Sequence, residues 1–228
     1  MDIKVHFPDN PRLFLKNPES SSLGTKIVSE GIRMIKKHGL ENFTFKKLAD
    51  KTGSTEASIY RYFESKHHLL VYLISIYWEV LQIKILFNTQ NISEPWVKID
   101  KLIMVITNVL EVAPNIINVN LKDLHEIVIC ESSKTYLTKK VDEEDKEGFF
   151  VSYKKLVFAL SEILKEANPH YPYPRALAVN LLETTYEQYY FSNHFGELTE
   201  LGSERPDSPT VKSFLESLIK AVLIYKEN

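Results

Sequence analysis

From Thr44 to Lys66 the chain interleaves hydroxyls (Thr44, Ser54, Thr55, Ser58 and Ser65) with Glu56, Ala57, Tyr60, Arg61 and Tyr62. A hydroxyl ahead of a short apolar run is a helix cap, because its oxygen accepts an otherwise unused N–H of the first turn. Small and polar residues at a helix start can also meet base edges or phosphates, since an α-helix fits the DNA major groove. Thr55, Glu56, Ala57 and Ser58 are the residues such a helix would present. Glu56 either accepts a hydrogen bond from cytosine or complements the dipole at its helix N-terminus. Ile59 and Phe63, four apart, form an inward face against Leu48 and Ala49, which leaves Tyr60, Arg61 and Tyr62 on other faces.

Other chemistries have little to build on. The sequence contains no Gly-rich phosphate loop, no G-x-S-x-G elbow and no H-E-x-x-H. His125, His170 and His194 stand singly, without the Cys/His spacing of a zinc site, and the one Glu-x-x-His, Glu64 to His67, is half of what a di-iron bundle needs. No enzyme, metal or cofactor is expected.

The elements that would carry these residues are helices. Glycine is scarce, and four of the seven (Gly24, Gly31, Gly39 and Gly53) precede residue 54. Residues 1–22, with Pro8, Pro11 and Pro18, read as an irregular arm ending in Ser20-Ser21-Ser22 at a helix N-cap. A first helix is expected from Lys26 to His38, stopped by Gly39 in a left-handed turn. Thr44 caps a short helix, Phe45 to Thr52; Gly53 breaks it; Ser54 or Thr55 caps a second, through Phe63; Ser65 caps a third, from Lys66 to about Phe87. Two short helices around a glycine-containing turn make a helix-turn-helix. Further helices are expected at 94–112, 114–131, 134–167, 174–196 and 209–226, begun at Ser93 with Pro95, at Pro114, at Pro174, and at Ser208 with Pro209. The fold is therefore expected to be all-α, and the acidic cluster Asp142 to Asp145 to be a solvated face or a local break.

A chain of 228 residues can bury about three quarters of its unfolded surface and needs no disulfide or metal to hold a core. Hydrophobic residues at 44% and charged residues at 25% describe a globular chain. The apolar run Leu69 to Trp78 looks short for a membrane span, and Asp2, Pro8 and Asp9 interrupt any leader, so a cytoplasmic location without membrane contact is expected. Cys130, the single cysteine, suits a reducing compartment and reads as a buried thiol. Net charge is −2, unevenly placed: residues 20–70 carry nine Lys/Arg against five Asp/Glu, and 71–228 carry sixteen against twenty-two. The N-terminal third alone has the sign that attracts phosphate.

The segment Lys26 to Leu81 resembles the DNA-binding domain of the TetR family of transcriptional regulators. The resemblance is carried by Ile27, Gly39, Thr44, Phe45, Leu48, Ala49, Gly53, Ile59, Tyr60, Phe63, Ser65, Lys66 and Leu69 in their order and spacing. Ser54, where an apolar residue is usual, and Glu30, where a small one is usual, depart from the pattern. The resemblance implies phosphate contacts by Tyr60 and Lys66, with Thr44 and Thr55 as caps that also reach the backbone of double-stranded DNA. Tyr60 has packing as its other reading.

It further implies a repressor that binds its operator as a homodimer, paired through the last two helices, and leaves it on binding a small-molecule effector. The expected organisation is an arm over 1–22, a DNA-binding domain over 23–70 and an effector-binding and dimerisation domain over 71–228. The effector is expected near Trp96, His125, Tyr186 and Tyr190. The alternative is a helical ligand-carrier or protein-interaction module in which the helix-turn-helix is only structural.

Overall fold

The computed structural model describes residue 10 and residues 12–110, 119–201 and 209–224. All regular structure among them is helical: α1 Ser22–Asn42, α2 Phe45–Thr52, α3 Glu56–Tyr60, α4 Lys66–Thr89, α5 Pro95–Thr107, α6 Leu121–Glu131, α7 Ser133–Tyr136, α8 Val141–Lys146, α9 Val151–Ala167, α10 Pro174–His194 and α11 Pro209–Ile224. Short 3-10 turns occupy Pro18–Ser20 and Gly196–Leu198.

Capping decides most boundaries. Ser21 Oγ accepts the Gly24 N–H at 3.1 Å, so α1 begins at Ser22, before the expected Lys26. Gly39, at φ 72° and ψ 162°, interrupts α1 without ending it, and the helix resumes as far as Asn42. Glu94, not Ser93, caps α5 by accepting from Trp96 and Val97 N–H groups. Asn120 caps α6 through the Asp123 N–H. α5 stops at Thr107, short of the expected 112, because Asn108 leaves the helical region at φ −138° and ψ 50°. Pro114, Ser208, the expected end of the last helix at 226, and residues 1–9 and 11 of the N-terminal arm lie outside the described residues.

The single helix expected over 134–167 is three. Leu137 leaves the helical region at the end of α7, and Gly148 sits at φ 82° between α8 and α9, a turn that needs glycine's lack of a Cβ. The acidic cluster forms α8, and Glu144 within it is buried, 3.0 Å from His67 Nε2, rather than solvated.

The chain divides into two compact units, Met1–Glu79 with Asn115–Tyr153, and Val80–Pro114 with Lys154–Asn228. In the first, Ile27, Ile35, Leu48, Ile59, Phe63 and Leu69 are almost fully buried, each contributing roughly 1.5–3 kcal/mol. In the second, α5, α10 and α11 pack together around Leu102, Ile106, Leu181, Leu182 and Leu215. There the Tyr189 hydroxyl donates to the Thr107 carbonyl and Asn168 Nδ2 to the Leu223 carbonyl.

α4 is longer than the apolar run suggested and, by length and composition, could cross a membrane. Its apolar window is 78% buried inside the protein, the condition of a core helix. Cys130 is exposed, against the expectation of a buried thiol, because it falls on the outer face of α6 while Leu124, Ile127 and Val128 face inward.

Candidate nucleic-acid interface

α2 and α3 are short helices whose ends are fixed by their own side chains. Thr44 Oγ1 accepts the Lys47 N–H at 3.3 Å, and Thr55 Oγ1 accepts the Ser58 N–H at 3.2 Å. Between them Gly53 takes the left-handed conformation, φ 66° and ψ 36°, and the Ser54 N–H reaches back to the Ala49 carbonyl at 3.0 Å. Ser54 in place of an apolar residue is accommodated by a hydroxyl pair, Ser54 Oγ to Thr52 Oγ1 at 2.8 Å. Glu30 is accommodated by pairing with Arg33 at 2.7 Å.

The surface this leaves facing solvent contains Thr44, Thr55, Glu56, Ala57, Tyr60 and Arg61, with Ser58 half-buried. Lys46, Lys47 and Lys51 are exposed on the neighbouring α2. Tyr60 is 47% exposed while its ring packs edge-on against Phe45 at 5.0 Å, so both of its expected readings describe part of its surroundings. Ile59 and Phe63 are fully buried beneath this surface.

Two expected contact residues are engaged elsewhere. Tyr62 is 3% exposed, its hydroxyl 2.7 Å from Ser21 Oγ and its ring under the Lys16 ammonium, so it fastens the start of α1 instead of facing outward. The residue falls inside because it lies three positions after the buried Ile59, on the same inward face. Lys66 Nζ donates to the Leu40 carbonyl at 2.9 Å and to the Glu41 carbonyl at 3.3 Å, positioning the corner between α1 and α2.

Sequence reasoning missed the residues of α6 that grip this head within the first unit. Lys36 Nζ lies 2.6 Å from Asp123 and 3.0 Å from Glu126, and those carboxylates hold its ammonium above the usual lysine range. Glu131 accepts the Leu40 N–H and lies 2.8 Å from Lys134. The i, i+3 spacings are local signals, Asp123 with Glu126 within α6 and Glu131 with Lys134 from its end into α7; their partners in α1 have no local signature.

The four expected effector residues divide between the two units. His125 belongs to the first unit, where Nδ1 lies 2.7 Å from the Tyr77 hydroxyl and burial pushes its pKa down to about 4, leaving a neutral ring. Trp96 lines a groove of about 360 Å³ between α5 and α11 of the second unit. Tyr186 is core there, and Tyr190 stacks on His194 at 4.5 Å. Among the described residues no group of His, Cys, Asp and Glu is placed to hold a metal ion.

Residues 27–73, from α1 into α4, match the sequence profile of bacterial regulatory proteins, tetR family. The chain carries the N-terminal domain of the tetR family. Its helix-turn-helix is α2 and α3, and the exposed surface just described is the outward side of a tetR-type head. No curated protein sequence matches the chain.

Solved structures share the fold beyond this domain. The fatty acid degradation regulator FadR from Bacillus halodurans superposes with a TM-score of 0.59 at 16% identity, over 91% of this chain and 96% of that one. AibR, solved in complex with isovaleryl coenzyme A and operator DNA, gives 0.54 at 15% identity over 87% and 97%. The superantigen PfiT gives 0.59 at 16% identity over 92% and 100%. The chain thus has the all-helical tetR-type fold over most of its length.

Proposed function

We propose that the protein is a tetR-type transcriptional repressor that binds operator DNA as a homodimer and is released from it by a small-molecule effector. One observation carries the reading: a helix-turn-helix with both helices capped exposes Thr44, Thr55, Glu56, Ala57, Tyr60 and Arg61 on the side that would meet a groove. Residues 23–70 are its DNA-binding part and 71–228 its effector-binding and dimerisation part, acting in the cytoplasm.

A single head offers too little surface for tight specific binding, so two are needed about one helical turn of DNA apart. α10 and α11 supply the pairing face: Val179, Phe214 and Ile224 are exposed and Leu218 and Val222 half-buried, an arrangement suited to a second copy. Release follows from linkage, because an effector favouring dimers with mis-spaced heads lowers operator affinity by its differential affinity for the two states. AibR, whose structure holds both isovaleryl coenzyme A and operator DNA, supports the pairing of these two partners on one fold.

The second reading, an interaction protein that keeps the helix-turn-helix as structure, is favoured by the likeness to the superantigen PfiT. Selection of duplexes from a random pool by the purified chain separates the two. A repressor enriches a pseudo-palindrome with half-sites one turn apart; an interaction protein enriches no sequence.

A further inference from the structure

The first unit contains a cavity of about 230 Å³ walled by α4, α7 and the start of α9. Aromatic rings dominate it: Trp78, Tyr136, Phe149, Phe150 and Tyr153. Trp78 and Tyr153 stand 5.2 Å apart at 49°, and the Tyr136 ring is parallel to that of Tyr153 within 10°. Among the described lining residues none is charged. Two polar groups on the wall are already engaged, Ser75 Oγ with the Val71 carbonyl at 2.8 Å and Thr135 Oγ1 with the Ser132 carbonyl at 2.6 Å.

These features set the chemistry of an occupant. An ion entering would lose its hydration without gaining a counter-charge, whereas an aromatic or alicyclic molecule would exchange water for ring faces and edges. A dry cavity of about 150 Å³ suffices for benzene, so this one suits a substituted benzene or a fused bicycle.

The cavity wall is also the head's support. Thr135 and Tyr136 follow Glu131 and Lys134, which hold Leu40 and Glu41 at the end of α1. Phe149, itself in the wall, packs edge-on against His68 at 5.2 Å, one turn into α4 and beside the helix-turn-helix. A molecule that spreads this wall therefore acts on the contacts that fix the α1–α2 corner.

We propose that this cavity is the effector site and that its ligand is an uncharged, ring-containing compound no larger than a fused bicycle. The consequence for DNA rests on the repressor reading; binding itself does not. The full chain is titrated calorimetrically with indole and benzyl alcohol, and with benzoate as a charged molecule of similar size. Ser75→Phe and Val71→Phe, each filling the cavity from α4, are titrated in parallel, with their thermal melts recorded.

At least one neutral probe is expected to bind the wild type about tenfold or more tighter than benzoate, and either filling variant that still melts cooperatively is expected to lose about tenfold. Absence of binding by both neutral probes, equal binding of benzoate, or undiminished binding by a folded filling variant overturns the assignment. Because the titration contains no DNA, its failure removes the cavity and leaves the repressor reading intact. A chain that binds the probe and no DNA sequence does the reverse.

Discussion

Glu131 Oε1 accepts the backbone N–H of Leu40 at 3.1 Å, so the last residue of α6 satisfies a peptide group at the kink of α1. The carbonyl of the same residue is taken by Lys66 Nζ at 2.9 Å. Leu40 thus has both faces of its backbone held by side chains from distant elements, and it is the residue from which the chain turns into the helix-turn-helix. Removing the Glu131 carboxylate leaves a buried N–H without its acceptor, a loss of about 1–3 kcal/mol. Glu131→Ala is expected to show it in urea unfolding, and Glu131→Gln, which keeps an acceptor oxygen, to lose less.

Lys66 distinguishes positioning from contact. If it acts through Leu40 and Glu41, Lys66→Ala weakens DNA binding while the log–log salt dependence keeps its slope. A phosphate contact would instead flatten the slope by about 0.9 per subunit. The structure predicts an unchanged slope, read by titration at several salt concentrations.

Gly39 and Gly53 differ in what they forbid. Gly39 lies at φ 72° and ψ 162°, a region nearly confined to glycine, and a Cβ there would also meet Glu131 Oε1 at 3.4 Å. Gly39→Ala is expected to cost about 1–3 kcal/mol. Gly53 is in the ordinary left-handed well with nothing within 4 Å, so Gly53→Ala should cost about 1 kcal/mol and Gly53→Asn less. Equilibrium unfolding of the three variants gives the order directly.

Much of this head was legible from residues 39–70, because capping hydroxyls, a glycine at a turn and i, i+4 apolar pairs are local signals. Thr44, Gly53 and Thr55 sit where their types require. Tyr62 is misplaced when the inward face is read from the i, i+4 pair Ile59 and Phe63 alone, because Tyr62, at i+3 from Ile59, shares that face. The expected effector residues His125, Trp96, Tyr186 and Tyr190 are grouped by type alone, and tertiary packing places His125 in one unit and the others in the second. The break at Gly148 was hidden by helix-forming residues on both sides, and with it the wall of the aromatic cavity.

His125 gives stability a pH dependence of defined sign. Its folded pKa of about 4 lies below the ordinary 6.5, so the unfolded chain binds the proton more readily between these values. Stability from this group is complete above pH 6.5 and declines as pH falls towards 4, by up to about 3 kcal/mol. Melting temperature against pH should fall more steeply for the wild type than for His125→Asn over that window. Parallel curves would remove His125 as the cause.

DNA binding by the exposed face of α3 is tested most directly by fluorescence anisotropy of the purified chain on a selected duplex across a salt series. With about two to four phosphates neutralised per subunit, a dimer should give a log–log slope of about −4 to −7. Arg61→Ala, on the exposed surface, and Tyr60→Phe, which keeps the ring on Phe45 and removes only the hydroxyl, should weaken binding without lowering the melting temperature, and Arg61→Ala should flatten the slope by about 2. Binding no tighter to the selected duplex than to random DNA, or variants that bind as the wild type does, would contradict it.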